Sequence, residues 1–293
     1  MKIIIFGAFG WIGSMLSEQW KIKYPNDIVI KSATRVIPEN TDLLKFEISI
    51  ADRVICCIGR TSGTLPDGTF VNTIDYCETA MMENIRDNLT APLLLAKICQ
   101  EQKRHLLYIG TGCIFSWDTN SDTTRSVSEE NFPDFFGSAY SIVKGQTDAI
   151  IRNFDNVCNC RIRMPISNIN HNRNFVTKIA KYSKIHNTYN SMTYLPNFIE
   201  ILIELSIKGE VGTFNCTNPG YIDHATILEM YAENIDINHE YSLVDNPVEL
   251  GLKSKRSNNI LNTTKIEKWC KENNIKLMPI HEAIKHCFSE WKQ

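Results

Sequence analysis

The chain opens on Lys2-Ile3-Ile4-Ile5-Phe6 and passes directly into Gly7-Ala8-Phe9-Gly10-Trp11-Ile12-Gly13. An apolar run without polar alternation is the pattern of a central parallel strand covered on both faces. The glycines that follow have GxxGxxG spacing between that strand and a helix expected over residues 11–21. The first permits a tight turn, the second lets backbone approach a pyrophosphate, and the third allows the helix to pack closely on the strand. A helix start presents free amides and the positive end of its dipole to such an anion. The motif therefore predicts a dinucleotide site built on Gly7, Gly10, Trp11, Ile12 and Gly13.

The first half continues in alternation. Strands are predicted over residues 27–33, 54–58, 105–109 and 161–164, the last ended by Pro165. Helices are predicted over 79–102, where Pro92 should bend or break the run, and over 140–154. This order implies βαβ units and an α/β, Rossmann-type doubly wound parallel sheet. Ligands bind at the C-terminal edge of such sheets, which points to Ile58 and Gly59 beside the dinucleotide and to Arg60 and Thr61 beyond them. After Pro165 the pattern is less regular, with helices near 175–184, 198–207, 224–232, 264–271 and 281–291 and short strands around 191–194 and 213–216. The expected organisation is a dinucleotide-binding domain over residues 1–165 and a smaller α/β substrate lobe over 166–293, interleaved through a strand or helix sent back to the first domain.

Strand two leads into Ala33-Thr34-Arg35, where a protein selective for NAD usually has an acid for the ribose hydroxyls. Arg35 instead suits a 2′-phosphate, so NADPH is expected in preference to NADH; its alternative is a solvated surface arginine. A formal net charge of −2 gives no basic field for a nucleic-acid backbone. No run approaches the roughly 18 apolar residues of a membrane span, and the opening run lacks the longer apolar stretch and small-residue cleavage site of a signal peptide, so none is expected. Ten cysteines are scattered without a framework spacing, which fits a reduced cytoplasmic setting. No metal is implied.

Tyr140-Ser141-Ile142-Val143-Lys144 puts a tyrosine and a lysine at i and i+4 on one helix face. A phenol with a pKa of about 10 is an awkward acid, and a nearby ammonium would ease its proton donation. The preceding strand runs into Ile109-Gly110-Thr111, whose hydroxyl can hold a carbonyl. With these residues the chain resembles the extended short-chain dehydrogenases/reductases, and Thr111, Tyr140 and Lys144 match that family's catalytic trio. The resemblance also implies that Asn88 supports a water-linked proton relay at the cofactor and that Met164-Pro165 packs against the nicotinamide.

Longer strings narrow the likeness: Gly110-Thr111-Gly112-Cys113-Ile114-Phe115, Phe136-Gly137-Ser138-Ala139-Tyr140, Arg161-Ile162-Arg163-Met164-Pro165-Ile166, Asn174-Phe175-Val176-Thr177-Lys178-Ile179 and Arg256-Ser257-Asn258-Asn259. Over residues 1–265 these resemble the bifunctional 3,5-epimerase/4-reductases that complete UDP-L-rhamnose synthesis in plants, with relatives in large DNA viruses. That resemblance implies a nucleotide-sugar substrate, UDP-4-keto-6-deoxy-D-glucose, and acid–base roles for Cys113 and Lys178. Read without it, Cys113 is equally a buried thiol, and Lys178, Lys181 and Lys184 are an ordinary solvated face. Asn174, Phe175, Arg256 and Asn258 are candidates for the uracil and diphosphate, against the plainer reading of a surface arginine and a core phenylalanine. Residues 62–71 look longer than the family's loop. The family also implies a homodimer through the helices at 79–102 and 140–154, an upstream 4,6-dehydratase on another protein, and the host cytoplasm if the chain is viral. The alternatives are a dTDP-4-keto-rhamnose-type reductase without epimerase activity and a non-catalytic dinucleotide-binding regulatory subunit.

Overall fold

The computed structural model describes residues 1–117 and 122–292. Strands β1 (Lys2–Phe6), β2 (Ile28–Ser32) and β3 (Arg53–Cys56) alternate with helices α1 (Trp11–Lys23) and α2 (Thr41–Ser49). A two-stranded hairpin follows, β4 (Gly63–Thr64) and β5 (Phe70–Val71), then helices α3 (Asp75–Thr79) and α4 (Met81–Ile85), a π-helical turn (Arg86–Thr90) and α5 (Ala91–Glu101). After β6 (His105–Thr111), α6 (Ala139–Ile151), β7 (Val157–Ile162) and α7 (Phe175–Ile179) the chain forms β8 (Lys184–His186), β9 (Tyr189–Asn190), α8 (Leu195–Lys208) and β10 (Gly212–Asn215). It ends with β11 (Ile222–Asp223), α9 (His224–Asn234), β12 (Ser242–Val244), α10 (Thr264–Glu272) and α11 (Ile280–Ser289).

Six strands form one sheet in the order β10-β7-β6-β3-β1-β2, every pair parallel. The chain reverses direction across the sheet between β1 and β3, which opens a crevice at their C-terminal ends. Residues alternate between two cores. Ile3, Ile5, Ile55 and Leu107 face α1 and α8, packing with Trp20, Phe198 and Leu202. Ile4, Phe6, Val54 and Leu106 face α2 and α5, packing with Leu44, Leu95 and Ile98. A third cluster around Val176, Tyr194, Ile227 and Phe288 supports α7, α9 and α11.

Several elements differ from the sequence reading. The helix expected over 79–102 is divided, and Pro92 lies in the first turn of α5, where a missing amide costs least. β7 begins at Val157, so Arg161 and Ile162 end it, and Arg163 and Met164 lie beyond it. The helix expected to reach residue 184 stops at Ile179, and Lys184–His186 pairs in parallel with β12 instead. Residues 191–194 form no regular strand; Thr193 exchanges backbone bonds with Arg163 and Ile166, at 2.8 and 2.9 Å. β10 returns to the main sheet beside β7, and α8 lies in its core. No helix among the described residues is long and apolar enough to cross a membrane.

A buried charge network braces the far half of the sheet. Arg161 is fully buried and grips the Asp148 carboxylate from α6 at 2.6 and 2.8 Å, while Asn159 donates to the same group at 2.9 Å. Further N–H groups of Arg161 reach the carbonyls of Ser128 and Asn131, at 3.3 Å each. Removing one partner of a buried pair leaves the other charge uncompensated. Asp148→Ala should therefore lower stability by roughly 3–5 kcal/mol, read from the urea midpoint. A loss below about 1 kcal/mol would show that neutral carbonyls alone satisfy Arg161.

Candidate active site

A cavity of about 1820 Å³ runs along the C-terminal edge of the sheet and under α7. Single-ligand pockets commonly measure about 300–1,000 Å³, so this one has room for two molecules side by side.

One half is the glycine turn. Gly7 adopts φ +78°, and a Cβ there would lie 2.8 Å from the Cys57 carbonyl carbon. A Cβ on Gly13 would come within 2.3 Å of the Gly7 oxygen. Gly10 caps α1 without a side chain, and no acid stands in that helix's first turn. The resulting cradle suits an anion, and Trp11, Ile12, Ile58, Gly59 and Pro165 line the same space. Exposed Arg35 stands at its rim, with Thr34 beside it. The acid nearest the end of β2 is Glu47 of α2, which accepts hydrogen bonds from the Ser32 and Thr34 hydroxyls at 2.9 Å each. That carboxylate was invisible to a reading of strand two alone.

The other half gathers the reactive groups. Thr111, at the end of β6, accepts a bond from the Cys113 amide at 3.1 Å and lies close enough to Tyr140 to oppose the rise of its phenol. The Cys113 carbonyl accepts from Ser141 Oγ at 2.8 Å, so Cys113 is pinned between β6 and α6 and half-exposed to the cavity. Burial raises the Tyr140 phenol well above its usual value, with the Cys113 thiol adding to the rise and Thr111 opposing it. Lys144 is pushed down to about 8 by burial, against the pull of Cys56 and Asp148. Its Nζ donates to the Tyr108 hydroxyl and lies 3.5 Å from the Ile109 carbonyl.

Lys178 is half-buried on the cavity wall, whereas Lys181 and Lys184 are exposed. α7 ends before either of them, so the three do not share one helix face. Burial pushes Lys178 down to about 8, helped by the positive charges of Arg173 and Arg256. Arg256 pairs with Asp75 at 2.9 Å, and Arg60 pairs with Asp87 at 2.6 Å; both arginines, with Thr61, line the cavity. Arg173, one residue before a quoted string, was missed in the sequence and adds a further cation. A chain with no basic field overall thus gathers three arginines and Lys178 on one cavity, two of the arginines paired with acids. Phe175 lines the cavity, tilted against the His224 ring at 5.3 Å, and Asn258 lies nearby with its Oδ1 accepting from Asn190 at 3.2 Å.

Two expected site residues do not line the cavity. Asn88 is buried in the π-turn, where its side chain clasps the Arg60 backbone through N–H and C=O at 2.9 Å each. It also donates to Asn84, and its own carbonyl accepts from Thr147. Asn174 caps α7, accepting from Val176 and donating to the carbonyls of Ser167 and Ile169 at 2.7 and 2.8 Å. Each holds a loop that carries site residues.

Arg163 joins the parts. Buried beyond β7, it donates to the carbonyls of Gly112, Ser191 and Ser257 at 3.2, 3.3 and 3.0 Å and also to Asn190. Among the described residues no group of His, Cys, Asp and Glu is arranged to hold a metal.

Comparison with known proteins places this geometry. The L780 UDP-rhamnose synthase of Acanthamoeba polyphaga mimivirus superposes with a TM-score of 0.90 at 39% identity, over 99% of both chains. In sequence, L780 is 42% identical over 91% of this chain and 92% of its own length. The bifunctional dTDP-4-dehydrorhamnose 3,5-epimerase/dTDP-4-dehydrorhamnose reductase of Arabidopsis thaliana is 33% identical over 97% of this chain and 91% of its own. A trifunctional UDP-glucose 4,6-dehydratase/UDP-4-keto-6-deoxy-D-glucose 3,5-epimerase/UDP-4-keto-L-rhamnose-reductase of the same plant is 33% identical over 97% of this chain, which spans 41% of that longer protein. With these relatives, and a family profile matching residues 3–181, the chain belongs to the NAD dependent epimerase/dehydratase family.

Proposed function

We propose that this protein converts UDP-4-keto-6-deoxy-D-glucose to UDP-L-rhamnose, inverting C3 and C5 and reducing the C4 ketone with NADPH. The observation that carries this reading is the placement of Cys113 and Lys178 on the same cavity wall system as Thr111, Tyr140 and Lys144. A reductase alone has no use for a second acid–base pair.

The 4-keto group acidifies the hydrogens on C3 and C5. Thr111 and Tyr140, which line the cavity together, polarise that carbonyl and stabilise the enolate as a proton leaves. Cys113 and Lys178 remove and return protons between them. Lys178, pushed down to about 8, has enough neutral amine near pH 7 to act as a base and enough ammonium to act as an acid. NADPH supplies the hydride that C4 receives. Tyr140 remains protonated because burial raises its phenol, so it can give its proton to the new alkoxide oxygen. Arg60, Arg173 and Arg256 would hold the diphosphate and Phe175 would cover the uracil, a reading supported by all four lining the cavity.

The keto sugar is supplied by a 4,6-dehydratase. The cofactor choice rests on Arg35, which can pair with a 2′-phosphate at the cradle's rim. Exposed Met82 on α4 and Ile142 and Ile150 on α6 offer an apolar face for a homodimer. Sedimentation should then give about twice the chain mass of 33.5 kDa, and a single-chain mass removes the dimer.

Exchange of substrate hydrogens with heavy water, followed by NMR, separates the steps. Cys113→Ala should lose exchange at one ring carbon and form no UDP-L-rhamnose, yet still reduce UDP-4-keto-L-rhamnose supplied to it. Exchange that depends on neutral Lys178 should climb about tenfold from pH 6 to 7 and level off above about 8. Unchanged exchange in Cys113→Ala, or a flat profile, removes the corresponding residue from the epimerisation. Arg35→Ser should raise the NADPH KM about tenfold or more and leave that for NADH unchanged. Equal effects on both cofactors would assign the preference elsewhere.

A further inference from the structure

Lys144 is one of three members of the expected trio, yet its closest support comes from a residue outside it. Tyr108, three residues before Thr111 on β6, is 1% exposed, and its hydroxyl accepts a hydrogen bond from Lys144 Nζ. The same ammonium lies 4.5 Å from the centre of the Tyr108 ring and 3.5 Å from the Ile109 carbonyl. An ammonium has three N–H donors. Two are directed into the protein by these contacts, and Lys144 also lines the cavity, so the third remains for a ligand there. Lys144 is the one hydrogen-bond partner of the Tyr108 hydroxyl among the described residues.

The ionisable groups around this contact leave the ammonium without an anion of its own. Cys56 faces it from β3, with its thiol pushed up to about 11 by burial, and Tyr140 stays neutral on α6. The Asp148 carboxylate is held by Arg161 and Asn159. Asn88, the residue that the family likeness offers for supporting the lysine's proton path, has its amide group on Arg60 and Asn84 and its carbonyl on Thr147.

We propose that Tyr108 is a positioning residue for the reduction: its hydroxyl oxygen holds Lys144 charged and in place, with one N–H turned to the cofactor side of the cavity. Tyr108 does not itself carry the proton. Burial pushes its phenol well above the usual value, so beside an ammonium it stays protonated and acts through its oxygen lone pair. The inference rests on the reading of Lys144 as part of the reductive machinery, and it adds the group that opposes the cost of burying its charge.

Tyr108→Phe keeps the ring and removes only the oxygen; Tyr108→Leu removes both. For the full chain, NADPH affinity is read by energy transfer from tryptophan between pH 6 and 9.5, alongside the rate of NADPH oxidation with UDP-4-keto-L-rhamnose, whose reduction does not wait on the Lys178-dependent epimerisation. In the unaltered protein both should fall as pH rises through about 8, where Lys144 loses its charge. Losing a hydrogen bond to a charged group should move that fall down by about one pH unit in Tyr108→Phe. The variant would then be about fivefold weaker at pH 8 and nearly equal at pH 6. Tyr108→Leu, which lacks the same oxygen, should shift by a similar amount, and if it fails to fold the Phe variant decides alone. Superimposable pH profiles, or a uniform loss at every pH, would overturn the proposal, the second being what a merely packing role predicts. NADPH binding without turnover of the keto sugar would count against the proposed substrate, while the affinity profiles would still decide the role of Tyr108.

Discussion

The site depends on a guanidinium buried where no carboxylate among the described residues meets it. Arg163 is 1% exposed, and its bonds go to three carbonyls and an amide oxygen. Burying an unpaired cation is costly unless every donor finds an acceptor. Here the acceptors come from the loop after β6, from residues 190–191 and from Ser257, so satisfying the charge fixes three segments relative to one another. Gly112 makes room for it: a Cβ there would lie 2.9 Å from Arg163 Cγ and 2.6 Å from Leu261. The turn that presents Thr111 and Cys113 is thereby locked to the segment that presents Arg256 and Asn258. Met164 follows with φ +36°, a strained conformation for a residue with a side chain, and turns the chain toward Pro165 on the cavity wall.

What could be read from the sequence was whatever local sterics dictate. The run Lys2–Phe6 and the three glycines specify a strand, a turn and a helix whatever surrounds them, and the six-stranded sheet follows from repeating that unit. Pro92 and the π-turn show the opposite case. A proline inside apolar periodicity signals a break, but the type of break is decided by packing against α6, where Thr147 takes the Asn88 carbonyl. The asparagines were hardest to place for the same reason. Asn88 and Asn174 carry four hydrogen-bonding sites each, and neither spacing nor motif shows whether these serve a ligand or a neighbouring backbone. Lys178 was legible only through resemblance, because its departure from a solvated face comes from the early end of α7 at Ile179.

Two lysines in one cavity are both pushed down to about 8, for different reasons and with different consequences. For Lys144 burial is opposed by Cys56 and Asp148, and its donors are directed to Tyr108 and Ile109, so the environment favours a fixed cation. For Lys178 burial is reinforced by Arg173 and Arg256, and no acceptor is recorded for its Nζ among the described residues, so the environment favours releasing the proton. The same depressed value therefore suits the holder of charge proposed in one case and the mover of protons proposed in the other. What separates them is the hydrogen-bond inventory.

That contrast bears on how one cavity can serve two reactions in order. Epimerisation and reduction both place negative charge on the same C4 oxygen, first as an enolate and then as an alkoxide. A single pair of hydroxyls, Thr111 and Tyr140, can stabilise both, provided that the phenol does not give up its proton at the first. The raised Tyr140 phenol meets this condition: it is a strong enough hydrogen-bond donor for the enolate and gives its proton fully only to the more basic alkoxide. In the proposed mechanism the proton traffic of epimerisation falls to Cys113 and Lys178, on side chains that do not share the trio's hydrogen bonds. Separate proton carriers around a shared oxygen site let the reductase architecture accommodate an epimerase without rebuilding its reductive centre.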